Sequence, residues 1–141
     1  MIRIFVISAM ILMMMFVIPI NVRGQNTTAT GKNESIIAHT DKKSYVVGED
    51  VVLFGKVSPV VKGERLRIDV YDPKGAVFAD NIGVAYFKDN GTFSTFSHDF
   101  GIIHSYLKLD KNSVQNYGAY KALITYNGQN VTIPFKVTPT A

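Results

Sequence analysis

The chain of 141 residues contains no cysteine. Disulfides, thiolate metal sites, cysteine nucleophiles and a blue-copper centre, whose copper needs a cysteine ligand, are therefore excluded. The absence says little about compartment, because an exported domain with an adequate core holds together without disulfides. Excess charge is scarce too. There are 15 basic and 11 acidic residues, a formal net charge of +4. Arg3 and Arg23 belong to the N-terminal segment, which leaves 13 against 11, or +2, for the rest. So small a balance is not the footprint of a nucleic-acid-binding protein. Helical periodicity is missing beyond the N-terminus, so no amphipathic helix is expected there.

What the chain has first is a long apolar run. Met1-Ile2-Arg3 is followed by apolar residues over 4–20, broken only by Ser8 and Pro19. Residues 1–24 read as a signal peptide, with Val22 and Gly24 preceding the cleavage point, or as an uncleaved signal anchor in a hydrophobic helix, since residues 4–22 just suffice to span a bilayer. Either reading sends the rest of the chain outside, because the small charged end stays cytoplasmic. Residues 25–34 (QNTTATGKNE) are polar and aperiodic and read as a spacer.

From residue 35 to 138 the sequence is a series of short runs divided by turn signals. Leu66, Ile68 and Val70 alternate with Arg67, Asp69 and Tyr71, the pattern of a half-buried strand. Asp72-Pro73-Lys74-Gly75 has the composition of a type I turn. Asp89-Asn90-Gly91 turns the chain into a run over 92–100. Tyr126-Asn127-Gly128-Gln129 sets Asn-Gly between two alternating runs, the signature of a type I′ hairpin. Its second arm puts Val131, Ile133, Phe135 and Val137 on one face and Thr132, Pro134, Lys136 and Thr138 on the other. Pro134 lacks an N–H, so this strand lies at a sheet edge or turns its proline to a non-bonded side. Seven to eight antiparallel strands with no helix point to an all-β sandwich, with an up-and-down barrel as the rival. Residues 102–117 are expected to form a long connection, either a flap over one end of the core or a functional loop.

The run Asp41-Lys42-Lys43-Ser44-Tyr45-Val46-Val47-Gly48-Glu49-Asp50-Val51, followed by Gly55-Lys56-Val57, resembles the opening of macroglobulin-like and related immunoglobulin-like modules. Ile68-Asp69-Val70-Tyr71-Asp72-Pro73-Lys74-Gly75, Gly91-Thr92-Phe93-Ser94, Gly118-Ala119-Tyr120 and Phe135-Lys136-Val137 extend the resemblance over nearly the whole domain. It implies an immunoglobulin-like β-sandwich of an exported prokaryotic surface protein. Within it Gly48 suits a turn, Tyr45 and Phe93 the core, and Gly75 a hairpin. Tyr120 resembles the tyrosine corner of such folds, or serves simply as a core aromatic. The family brings no catalytic residues and no cofactor.

Candidate sites are few. His39, His98 and His104 lack the pairing that a zinc or copper site favours. Ser97-His98-Asp99 places three triad residue types side by side, where a strand points neighbours to opposite faces. Asp69, Asp72, Asp80 and Asp89 lack the spacing of a calcium loop. Four N-x-S/T sequons, at Asn26, Asn33, Asn90 and Asn130, exceed the roughly one expected by chance and offer glycan acceptors. Lys62, Arg65, Arg67 and Tyr71 form a candidate binding face for an anionic glycan or a protein partner. The expectation is a non-catalytic module at the cell envelope that binds or spaces, tethered to the membrane if the leader is kept. The alternative is a carbohydrate- or metal-binding accessory of an envelope enzyme.

Overall fold

Alternating apolar and polar residues on either side of an Asn-Gly turn build the longest hairpin of the protein. In a computed structural model, which describes residues 27–31, 34–84, 86–87 and 89–139, every element is a strand. In chain order they are β1 (Thr27–Gly31), β2 (Glu34–Thr40), β3 (Ser44–Val46), β4 (Leu53–Ser58), β5 (Arg67–Tyr71), β6 (Val77–Ala79), β7 (Tyr86–Phe87), β8 (Thr92–Ser94), β9 (Phe96–Asp99), β10 (Ile102–Ser105), β11 (Gly118–Tyr126) and β12 (Gln129–Thr138). They form one five-stranded sheet in the order β1-β2-β4-β8-β7, a second in the order β3-β12-β11-β5-β6, and a separate β9-β10 ribbon. All pairings are antiparallel except β3 with β12.

The two large sheets share one core. Ile36, Ala38, Leu53, Val57 and Phe93 of the first merge with Ile68, Val70, Tyr120, Ile124, Ile133 and Phe135 of the second in one cluster of buried side chains. The non-sequential strand orders exclude the up-and-down barrel. Three ring contacts run through the second sheet. Tyr45 meets Phe135 edge-on at 5.8 Å. Phe135 stacks on Tyr120 at 5.7 Å, and Tyr120 meets Phe78 edge-on at 5.4 Å. Such pairs add to the energy of area burial.

The motif at 41–49 is where the chain passes from one sheet to the other. Tyr45 is fully buried, and its hydroxyl donates to the Asp41 carboxylate. Burial, then that bond, pushes its phenol well above the usual range. Glu49 accepts the Val46 N–H at 2.7 Å and pairs with Lys42 Nζ at 2.9 Å. Gly48, at a φ of 98°, lets the chain turn between them.

Several elements depart from the sequence reading. Twelve strands replace the expected seven to eight, partly because the run 92–100 is broken at Thr95. Thr95 is fully buried and its Oγ1 accepts the Leu53 N–H at 3.0 Å, which ends β8 and redirects the chain. The segment 25–34, read as a spacer, contributes β1, which pairs with β2 from Thr27↔Ala38 to Gly31↔Glu34. Its residues, TTATG, carry no apolar alternation that would mark a strand. Within 102–117, Leu107, Leu109 and Val114 are buried in the common core, whereas residues 102–105 form β10. The segment is part flap and part projection. The expected N-terminal helix lies outside the described residues.

Gly55 faces the core between Ala38 and Phe93. A Cβ there would lie 2.1 Å from the Ile37 carbonyl oxygen and 2.9 Å from the Phe93 ring. Gly55→Ala must push strands apart, so it is expected to lower stability by about 3 kcal/mol. Urea unfolding of the purified protein measures this, and an unchanged midpoint would contradict the packing.

Candidate binding face

The outer side of the second sheet carries the best-formed surface. Three strands lay it out in rows across β5, β11 and β12: Tyr71–Lys121–Pro134, Asp69–Leu123–Thr132 and Arg67–Thr125–Asn130. Next to them Ala119 stands beside Lys136. Shallow depressions cross these rows. One of about 290 Å³ lies among Tyr71, Gly75, Lys121, Leu123 and Thr132. A larger one of about 570 Å³ shares Gly75, Lys121 and Thr132 and reaches Pro73 and Pro134. A third of about 340 Å³ continues past Pro134 to Lys136 and Lys43. Together they make a groove crossing the strands, bordered by Lys43, Lys121 and Lys136. Among the described residues, these three lysines belong to no ion pair.

One wall of the groove is the β5–β6 turn, and it is rigid for local reasons. Gly75 N–H donates to the Asp72 carbonyl at 3.0 Å. Asp72 Oδ1 accepts the N–H groups of Lys74 and Ala76 at 2.9 and 2.8 Å. Its other oxygen accepts the Asn116 side-chain amide at 2.7 Å. Burial raises the Asp72 pKa, but the bonds from Ala76, Asn116 and Lys74 outweigh it and hold the carboxyl below its ordinary value. Behind the turn, Tyr120 Oη donates to the Asn116 carbonyl at 2.7 Å. The start of β11 and the β5–β6 turn are thereby tied together.

The open side of the sheet is guarded. Lys136 N–H donates to the Lys43 carbonyl, so Pro134 and Thr132, two and four residues earlier, turn the same backbone side away from β11. Pro134 therefore has no N–H to offer on the side turned away from β11, which blunts that side against strand addition. β3 covers only Lys136–Thr138 of that edge.

The residues expected from sequence are divided by this geometry. Arg67 and Tyr71 lie on the outer side of β5. Lys62 and Arg65 are exposed on the loop before it. Arg67 spends its charge locally, with Nε 2.8 Å from Asp69 Oδ2, and Asp69 also accepts the Asn81 N–H at 2.9 Å. Lys121, Thr132, Pro134 and Lys136 were not anticipated as partners of Tyr71. The polar face that Thr132, Pro134 and Lys136 share on β12 is readable from sequence, but the neighbourhood of β5 and of Lys121 on β11 is not.

The other candidates are scattered. His39 packs against Phe54, ring centroids 3.8 Å apart, on the first sheet. His98 stands across from Ile103 and His104 across from Ser97 on the ribbon, so they point to opposite faces, as Ser97 and His98 do. Among the described residues, no three His, Asp or Glu side chains gather as metal ligands. Asp80 and Asp89 are exposed. Asn90 and Asn130 are exposed too, and Asn90 Oδ1 accepts both the N–H and the hydroxyl of Thr92 at 3.1 and 2.7 Å. Asn26 and Asn33 lie outside the described residues.

No family model matches the chain, and no curated protein matches it. Among solved structures it is similar to a DUF4785 family protein from Legionella pneumophila. That similarity has a TM-score of 0.40 and 12% identity, over 74% of this chain and 28% of the other. The chain thus spans little more than a quarter of that protein's length.

A folded pKa below the unfolded one gives Asp72 a stabilising effect that is complete above about pH 4 and is lost as pH falls through the folded value. Glu49 is depressed in the same sense by the Val46 N–H and Lys42. Asp72→Asn is expected to flatten the fall of stability below about pH 4. Denaturant midpoints at stepped pH report it, and an unchanged acid limb would contradict the bonding.

Proposed function

We propose that this chain is an exported, non-catalytic immunoglobulin-like β-sandwich module that acts at the cell envelope by binding an anionic glycan or an anionic protein segment. The macroglobulin-like opening motif supports the fold assignment. So does the strand order. Read with β2, β4, β8 and β7 as A, B, E and D, and β12, β11 and β5 as G, F and C, it follows the order of such sandwiches. The Tyr120–Asn116 bond matches their tyrosine corner. Export rests on the apolar run 4–20 and its charged start.

The observation that carries the binding reading is the groove across β5, β11 and β12. It is elongated and shallow, as suits an extended chain rather than an enclosed substrate. Lys43, Lys121 and Lys136 along it suit carboxylates, sulfates or phosphates of a ligand. Tyr71 offers an amphipathic ring for a sugar face. That ring also favours a second reading, a carbohydrate-binding accessory of an envelope enzyme, which would use the same groove. A glycan on Asn130 would stand beside Thr132 and narrow it.

Polygalacturonate is a direct probe. The full chain is expected to bind it, and Lys121→Glu and Tyr71→Ala are each expected to weaken binding about tenfold, or 1.4 kcal/mol. Titration calorimetry or affinity electrophoresis reads this. Binding that ignores both substitutions would remove the groove from the proposal, and no binding to acidic glycans or peptides would leave spacing as the role.

A further inference from the structure

The β9–β10 ribbon stands away from the common core. Its base is clamped where Thr95 meets Leu53 and Tyr106 N–H donates to the Thr95 carbonyl at 3.0 Å. Ser105 Oγ donates to Asp50 Oδ1 at 2.6 Å on the same level. Beyond that base all four residues of β10 are exposed on both faces of the strand. Alongside the polar His98, His104 and Ser105, large apolar side chains are exposed here: Phe100 is 104% exposed, Ile103 62%, Ile102 58% and Tyr106 46%. A core does not need them, and water disfavours them.

The turn at the tip makes the point sharper. Phe100 and Gly101 have φ of 49° and 78°, and Asn127 and Gly128 at the β11–β12 turn have 46° and 75°. The same left-handed pair is thus built twice in one protein. At β11–β12 it uses Asn-Gly, the residues this turn prefers. At the ribbon tip it uses Phe, a bulky side chain for which positive φ is strained. Turn chemistry does not select Phe100, so its selection lies in what the tip touches.

We propose that the ribbon is a membrane-contacting prong, with Phe100, Ile102 and Ile103 seated in the interfacial layer of a lipid bilayer. This rests on the envelope location argued above and goes beyond the groove. Two observations commit it to lipid. The tip is a convex projection of few side chains, far from the roughly 800 Å² that each partner of a standard protein interface buries. The chain also enters the domain at the same end. β1 begins at Thr27, level with Ala38, and two residues further along β2, Thr40 stands across from Leu53, where the ribbon departs. Six residues separate Ile20 from Thr27, and the seven steps between them reach about 25 Å. An apolar leader left in the bilayer therefore holds the prong's end of the domain towards the lipid. Anchoring by a leader plus a shallow apolar contact is the two-signal arrangement by which peripheral domains are held in a fixed pose.

The chain contains no tryptophan, so Phe100→Trp and Val60→Trp each install a single reporter. Val60 is exposed and follows Ser58, which pairs with Ser35 at the far end of the sheet. The full chain is reconstituted in phosphatidylcholine–phosphatidylglycerol vesicles with and without brominated acyl chains. The Phe100→Trp emission is expected to shift to the blue and to lose at least half its intensity in brominated lipid, while Val60→Trp is unaffected. Phe100→Asn, which supplies the residue the turn prefers, is expected to unfold no earlier than the parent. It is also expected to halve, at least, the quenching of an Ile102→Trp reporter. Equal quenching at both ends, or no quenching at the tip, overturns the prong; so does a Phe100→Asn variant that loses stability. Cell fractionation reads the envelope location separately: a chain confined to the cytoplasm overturns that reading whatever the vesicles report.

Discussion

The structure depends on a buried phenol that is given a partner. Four residues after Thr40 leaves the first sheet, Ser44 enters the second, and the step is held by Tyr45 reaching back to Asp41. A tyrosine ring buried this deeply contributes a large apolar area only if its hydroxyl is satisfied. The Asp41 carboxylate satisfies it, and the Lys42 N–H donates to the Tyr45 hydroxyl oxygen at 3.3 Å. With the ring fixed, β3 lies parallel to the end of β12 and Tyr45 meets Phe135. The two sheets are then bound to close over one core instead of sliding past each other.

The same economy recurs at Tyr120 and at Tyr126. Tyr120 ties the start of β11 to the Asn116 carbonyl, and Tyr126 Oη accepts the Val61 N–H at 2.8 Å. Each phenol buries its ring in the core and spends its hydroxyl on a loop. Loops that would otherwise wander are thereby registered against strands, and one of them, the β5–β6 turn with Asn116 behind it, becomes the wall of the groove. The groove is a by-product of how the core is locked, which is why its walls are rigid and its floor is plain strand.

Opposite choices were made at the two free ends of the architecture. The β12 edge carries Pro134, which withholds a donor and protects the sheet from pairing with other chains. The β9–β10 tip carries Phe100, which exposes an apolar ring that a protein built only for solubility would avoid.

Periodicity and turn chemistry in the sequence were enough for an all-β domain, for the β11–β12 hairpin and its faces and for the Asp72-Pro73-Lys74-Gly75 turn. Those features depend on residues close in the chain, where side-chain alternation and positive φ leave a local trace. The break at Thr95 left none, because it comes from a hydroxyl bonding to Leu53, 42 residues away. β1 left none because its residues, TTATG, carry no apolar alternation. The candidate binding face was half legible: Arg67 and Tyr71 stand out on one strand, but only tertiary pairing sets Tyr71 beside Lys121 and Pro134. Likewise the apolar residues over 102–109 all read alike. Burial of Leu107 and Leu109 and exposure of Ile102 and Ile103 were decided by where the chain returned to the core.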